Sequence, residues 1–115
     1  MHEASLAGGI LKLVEDTAER ERFSRLLALR IEAGQLAGVD VRALRFALES
    51  LAPGTVLEDA RIQIDEPSGQ AWCMDCSQTV VLMRRGDACA LCGGYQLQPT
   101  GGTELRVLDM QVSDA

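Results

Sequence analysis

Apolar and small residues near the start of the chain recur every three to four positions. Two neighbouring stripes share this spacing: Leu6, Ile10, Leu13 and Thr17, and beside them Ala7, Leu11, Val14 and Ala18. The pattern predicts an amphipathic helix. Gly8 and Gly9 weaken it by about 1 kcal/mol each relative to alanine, and close backbone packing would be a reason for keeping them. The charged residues 15–22 predict a solvent-exposed helix end.

Between Arg25 and Glu32 the period of the apolar residues changes to two. The two alternating faces are Leu27, Leu29 and Ile31, and Leu26, Ala28 and Arg30. A strand that is apolar on most of both faces is predicted to be central in its sheet. The glycine-containing segment 34–38 then predicts a loop.

A second helix is predicted after Asp40, whose side chain is suited to cap the first turn. Its apolar stripe is Val41, Leu44, Leu48 and Leu51. The Pro-Gly pair at 53–54 ends this helix. Residues 60–64 alternate again and predict a second strand, with an apolar set of Ala60, Ile62 and Ile64.

A last strand is predicted over residues 104–112. Its apolar set changes phase between Val107 and Leu108, which suggests a β-bulge or a change of facing. Two turn-rich linkers, at 66–69 and 99–102, enclose the segment between the second and last strands.

Four cysteines lie in this enclosed segment as two CxxC pairs, Cys73 with Cys76 and Cys89 with Cys92. Each such turn points two sulfur atoms the same way, and two facing turns form a tetrahedral cage of thiolates that suits Zn²⁺. One short apolar run, 80–83, is the expected arm of a hairpin. This core is too small to fold alone, so zinc is expected to supply the folding energy, about 10–16 kcal/mol in zinc peptides at neutral pH.

The order of elements is therefore helix, strand, helix, strand, insertion, strand. It predicts an α/β (α+β) fold, in which a small three-stranded mixed sheet carries two helices and a zinc-ribbon-like four-cysteine domain is inserted. The expected boundaries are 1–66 with 103–115 for the α/β domain, and 67–102 for the zinc-binding domain. Aromatic residues make up only 3% of the chain, so an aliphatic core is expected.

The net charge of −6 limits the classes of partner. It would repel a phosphate backbone, which argues against nucleic acid as the main partner. The sequence has no apolar run of about 18 residues to span a membrane and no signal-peptide pattern. A cytoplasmic protein is therefore expected, and cysteines in that compartment are metal ligands more often than disulfides.

A zinc ion held by four thiolates has no open position for water or substrate, so catalysis is not expected. Two other functions remain open. One is a zinc-ribbon module that binds nucleic acid or protein; Arg84 and Arg85 favour nucleic acid, whereas the acidic charge and the few aromatic residues oppose it. A one-iron electron carrier of rubredoxin type is opposed by Cys76-Ser77, where such sites have Cys-Gly, and it leaves the outer domain unexplained.

The only histidine, His2, stands in the opening sequence Met1-His2-Glu3. A lone histidine beside a chain terminus is usually a solvated residue. However, the α-amine, the His2 amide nitrogen and the His2 imidazole can all reach one metal ion. Ni²⁺ and Cu²⁺ suit such nitrogen-rich, square-planar sites, whereas Zn²⁺ prefers the sulfur cage.

The sequence closely resembles the HypA/HybF family over essentially its whole length. The resemblance rests on Met1-His2-Glu3 with Ser5-Leu6-Ala7 behind it, on the order of helices and strands, and on the two CxxC pairs. It implies a nickel metallochaperone of [NiFe]-hydrogenase maturation rather than an enzyme. It further implies transient Ni²⁺ at Met1, His2 and Glu3, and a separate structural Zn²⁺ domain.

The family also implies a partner GTPase that cooperates in delivering nickel to the hydrogenase large-subunit precursor. Some relatives have further histidines near the zinc loop, and this chain has none. A fourth nickel ligand would then be a carboxylate such as Glu3 or Asp40, water, or a partner's residue, although Asp40 is better explained as the helix cap. An exposed sheet edge could exchange strands, which leaves a homodimer open.

Overall fold

The computed structural model describes residues 2–113 of the chain. Its elements in chain order are α1 (His2–Glu21), β1 (Arg25–Ala33), a 3-10 turn (Gln35–Ala37), α2 (Val41–Leu51), β2 (Arg61–Asp65), β3 (Gln70–Cys73), β4 (Gln78–Val81), β5 (Leu97–Gly101) and β6 (Leu105–Ser113). The chain divides into two compact units. The first contains the chain up to Ile31, residues 40–64 and the chain from Val107; the second contains 32–39 and 65–106.

The first unit contains two helices that pack on each other and most of a three-stranded sheet of order β2-β1-β6. The Ser24 hydroxyl, just before β1, donates to the carbonyl of Ser113 at the end of β6 over 3.5 Å. Farther along, Arg30 of β1 lies 3.0 Å from the Asp109 carboxylate of β6. These contacts place β6 antiparallel to β1. The predicted fold class, two helices with a small sheet and an inserted cysteine segment, is confirmed.

The core of the first unit is aliphatic, as the composition predicts. Its largest fully buried side chains are Val14, Leu29, Ile31, Leu44, Leu48 and Leu57. The predicted alternation in β1 is wrong at its start, because Leu26 is buried whereas Leu27 is 41% exposed. In β6, Val107 and Leu108 are both half-buried, which fits the predicted change of phase, and the bulge itself stays a prediction.

Both helix ends predicted around Asp40 and the Pro-Gly pair are correct. The Asp40 carboxylate accepts a hydrogen bond from the Ala43 N–H at 3.1 Å, so it caps α2. The predicted reason for the glycines in α1 is wrong: a Cβ atom at Gly8 or Gly9 would meet no other atom within 4 Å. Among residues 2–113 no helix is long and apolar enough to cross a membrane.

The second unit contains a separate sheet of order β4-β3-β5, in which β3 pairs antiparallel with both neighbours. The run at 80–83 contributes to a hairpin arm, as predicted. The linker predicted at 99–102 is wrong, since most of it belongs to β5. Pro99 pairs with Ala71 from the edge of the sheet, where a strand can lack one N–H donor without losing a ladder hydrogen bond.

The 3-10 turn after β1 contributes to the core of this second unit. Leu36 is 4% exposed and packs in one cluster with Ala71, Cys73, Val80, Leu82 and Cys89. The Leu36 N–H donates to the Gly102 carbonyl at 2.8 Å. A Cβ atom at Gly34 would overlap the same carbonyl group, so only glycine permits this approach.

Replacing Gly8 or Gly9 with alanine is expected to stabilise the first unit by about 1 kcal/mol per site, because alanine has the higher helix propensity and its methyl group meets no neighbour. Chemical denaturation followed by circular dichroism measures the change. Ala7→Gly is the matched control and should destabilise, since Ala7 is fully buried in the same helix. A loss of stability in both alanine variants would contradict the absence of neighbouring atoms around Gly8 and Gly9.

Candidate metal centre

The two CxxC pairs form two tight turns in the second unit. Cys73 ends β3, and Cys76 lies in the turn that leads to β4. Cys89 and Cys92 lie between β4 and β5. Three backbone N–H groups donate to sulfur atoms at 3.4 Å each: Cys76 to Cys73, Leu91 to Cys89, and Gly94 to Cys92. These donors orient the sulfurs and favour their anionic form.

A residue with left-handed backbone follows each pair. Gly93 has φ of 75°, and Ser77 has φ of 53° in the corresponding place. Glycine adopts this conformation freely, whereas another residue loses about 1–2 kcal/mol. In the second turn the Gly93 N–H donates to the Cys89 carbonyl at 2.8 Å, and the Cys89 N–H donates to the Gly94 carbonyl at 2.7 Å. These bonds close the turn around its sulfur atoms.

The four sulfur atoms fit a tetrahedral zinc site. The Sγ atoms of Cys73 and Cys92 are 3.7 Å apart, those of Cys76 and Cys89 are 3.9 Å apart, and all four lie within 4.8 Å of one another. A Zn–S bond of about 2.3 Å gives a tetrahedron with sulfur–sulfur edges of about 3.8 Å. Among residues 2–113 this is the one group of three or more metal-ligating side chains close enough to share an ion.

The thiols of this cluster differ in pKa. Backbone N–H groups of Cys92 and Leu91 stabilise the Cys89 thiolate and lower its pKa to about 7. A hydrogen bond with the Cys92 side chain, together with lost solvation, raises the pKa of Cys76 to about 12. A metal ion must therefore displace protons from part of the cluster, so acid weakens its binding.

The predicted nickel residues lie at the start of α1, except that Met1 is outside the described residues. His2 begins the helix and is exposed. The Glu3 carboxylate accepts a hydrogen bond from the Asp40 N–H at 3.0 Å, and this bond is the main cause of a lowered Glu3 pKa. Sequence reasoning missed this contact between the first turn of α1 and the N-cap of α2.

An apolar groove of about 390 Å³ lies beside this contact, also in the first unit. Its lining residues are Glu3, Ala4, Ala43, Phe46, Ala47, Ser50 and Leu51. Phe46 is 72% exposed and Leu51 is 39% exposed. Sequence analysis did not identify the groove, because Phe46 lies off the apolar stripe of α2.

The chain matches known proteins over nearly its full length. A family described as "Hydrogenase/urease nickel incorporation, metallochaperone, hypA" matches residues 1–112. A protein of Polaromonas naphthalenivorans named hydrogenase maturation factor HypA is 71% identical over 114 residues, 99% of either chain. One of the same name from Cupriavidus necator is 66% identical, over 99% of this chain and 96% of its own.

Two solved structures share the fold. The solution structure of the Ni metallochaperone HypA from Helicobacter pylori has a TM-score of 0.67 at 21% identity and covers 96% of either chain. A second solution structure, of a protein called HypA, has a TM-score of 0.72 at 23% identity and covers 100% of this chain and 98% of its own.

Cys73→Ala is expected to lose zinc, because it removes one of four ligands and leaves a gap in the small core. Metal analysis after gel filtration gives the zinc content per chain, and limited proteolysis reports the folding of the second unit. Ser77→Gly is the control next to the cluster. It should keep zinc and gain about 1 kcal/mol, since it relieves the left-handed serine. Unchanged zinc in the Cys73→Ala protein would contradict the four-sulfur site.

Proposed function

This chain belongs to the HypA family of nickel-incorporation metallochaperones that serve hydrogenase maturation, and from that premise we propose how it carries its metals. Nickel binds at the N-terminus, through Met1, His2 and Glu3. A partner GTPase then helps to deliver it, in the cytoplasm, to the large-subunit precursor of a [NiFe]-hydrogenase. The observation that carries the proposal is the hydrogen bond between the Glu3 carboxylate and the Asp40 N–H.

That hydrogen bond holds the first turn of α1 to the N-terminus of α2 while His2 stays exposed. The imidazole, the His2 amide nitrogen and the terminal amine can then reach one ion without burial of the metal. Nitrogen ligands of this kind suit Ni²⁺. One oxygen of the Glu3 carboxylate already accepts a hydrogen bond, so this side chain contributes less to nickel binding than His2 does.

The four cysteines hold a structural Zn²⁺ in this proposal. The sulfur–sulfur distances and the backbone donors support it. When bound, the ion supplies folding energy to the second unit and leaves no open coordination position. The chain's own residues then bind and release nickel without a catalytic step, so we assign the protein no enzyme activity.

The partner contacts the first unit beside the nickel site. A GTPase or a hydrogenase precursor must come close to His2 to receive or guard the ion, and the apolar groove next to Glu3 exposes Phe46 there. Exposed aromatic residues next to a groove are typical of sites where a partner binds. The net charge of −6 would steer a basic partner to the chain. A homodimer through an exposed sheet edge is a separate part of the proposal.

His2→Ala is expected to abolish Ni²⁺ binding while zinc content and fold stay unchanged, because an exposed residue at the helix start contributes no core packing. Isothermal titration with Ni²⁺ on untagged protein measures this. A short extension before Met1 should also impair binding, since it replaces the free amine by a peptide nitrogen. Glu3→Gln should have a smaller effect. One Ni²⁺ bound with unchanged affinity by the His2→Ala protein would refute the N-terminal site.

Phe46→Ala is expected to weaken binding of the cognate GTPase roughly tenfold, as is common for an exposed aromatic residue at an interface. Calorimetry or co-elution of the purified proteins measures this. Leu13→Ala is the control, because Leu13 is 46% exposed on α1 and does not line the groove. Equal affinity of the Phe46→Ala and Leu13→Ala proteins would place the partner elsewhere, and no association at all would leave delivery by this GTPase unsupported.

A further inference from the structure

The four cysteines differ strongly in exposure to solvent. Cys73 is fully buried and Cys89 is 3% exposed. Cys76 is half-buried, and Cys92 is exposed. Two of the four cysteines are therefore enclosed by protein, a third is partly covered, and Cys92 reaches the surface.

The difference follows from what each turn packs against. Cys73 and Cys89 belong to the core cluster of the second unit, and Cys76 packs against that cluster. Cys92 is outside it, in a turn whose residues 90–93 are all exposed. Its neighbours Leu91 and Tyr95 are also exposed, at 65% and 71%.

The surroundings of Cys92 differ from those of the buried cysteines, because a carboxylate, Asp75, lies nearby. A Cβ atom at Gly94 would lie 2.7 Å from the Asp75 carboxylate and 3.4 Å from the Cys92 sulfur. Only glycine fits here, because any side chain would collide with the Asp75 carboxylate, and the carboxylate therefore stands close to the turn that carries the Cys92 sulfur. The negative charge of Asp75 near the exposed sulfur favours the approach of neutral or cationic groups over anions.

We propose that the zinc centre opens at Cys92, beside Asp75, and that a small neutral soft reagent enters there. This inference rests on the proposed zinc role of the cluster. Exchange at a closed four-ligand site requires one sulfur to move away and a new group to approach. Movement of Cys73 or Cys89 would open a hole in the core, whereas Cys92 can move into solvent. Cys92 is thus the position where thiol-directed modification and metal exchange begin.

The test compares iodoacetamide, which is neutral, with iodoacetate, which is anionic and of nearly the same size. Each forms a bond from a cysteine sulfur to carbon, and iodide leaves. Zinc-loaded full-length protein is treated with limiting reagent, the modified cysteine is mapped by peptide mass spectrometry, and released zinc is followed with a coloured chelator. Asp75→Asn is the matched variant for charge, and the peptide map itself identifies the site.

We expect most singly modified protein to carry the adduct on Cys92, with zinc released more readily from the modified than from the unmodified chain. Asp75→Asn should raise the iodoacetate rate severalfold relative to the iodoacetamide rate. First modification at Cys73, Cys76 or Cys89, or a rate ratio unaffected by Asp75→Asn, overturns the inference while zinc binding stands. Wild-type protein that holds no zinc overturns the proposed cluster as well.

Discussion

Four thiolates within 4.8 Å of one another repel each other unless a cation lies between them, and the second unit depends on this interaction. Its core has six buried residues, and two of them, Cys73 and Cys89, belong to the four-cysteine cluster. The remaining apolar side chains are too few to order the segment by burial alone. The same core includes Leu36 from the turn after β1, so a metal held by the cysteines also fixes a segment far away in sequence.

The first unit has a different source of stability. Its core is built from aliphatic side chains of two helices and a sheet, and none of its described ligand candidates is buried. The proposed nickel site therefore lies on a folded surface that does not need the ion. A hydrogen bond from the Asp40 N–H to Glu3 positions that surface. Binding that contributes nothing to folding can remain weak and reversible, which a carrier of a transient ion requires.

Elements with a regular period could be predicted from the sequence. The helices, β1 and β6 carry apolar repeats, and the paired CxxC motif predicts the cluster of four sulfur atoms that the structure shows. Contacts between residues that are distant in sequence could not be predicted in this way. No local signal links Glu3 to Asp40, or Leu36 to the cysteine segment. Strand β5 was missed because Pro99 and the glycines at 101–102 are typical of a linker, and only the pairing with β3 shows an edge strand there.

Two metals in one small chain require two sets of ligands that do not exchange. The cluster offers sulfur atoms in a tetrahedral arrangement, and backbone N–H donors hold them there. Zn²⁺ accepts this geometry because it has no geometric preference from its d-electrons. In the proposed nickel site the N-terminal residues offer nitrogen ligands, including one imidazole, and nitrogen-rich planar sites suit Ni²⁺. The sequence has four cysteines and one histidine, so all the cysteines are needed in the cluster and the one histidine in the proposed nickel site. Ligand type and geometry thus direct Zn²⁺ to the cluster and Ni²⁺ to the proposed N-terminal site, whereas a difference in affinity alone would not keep the two ions apart.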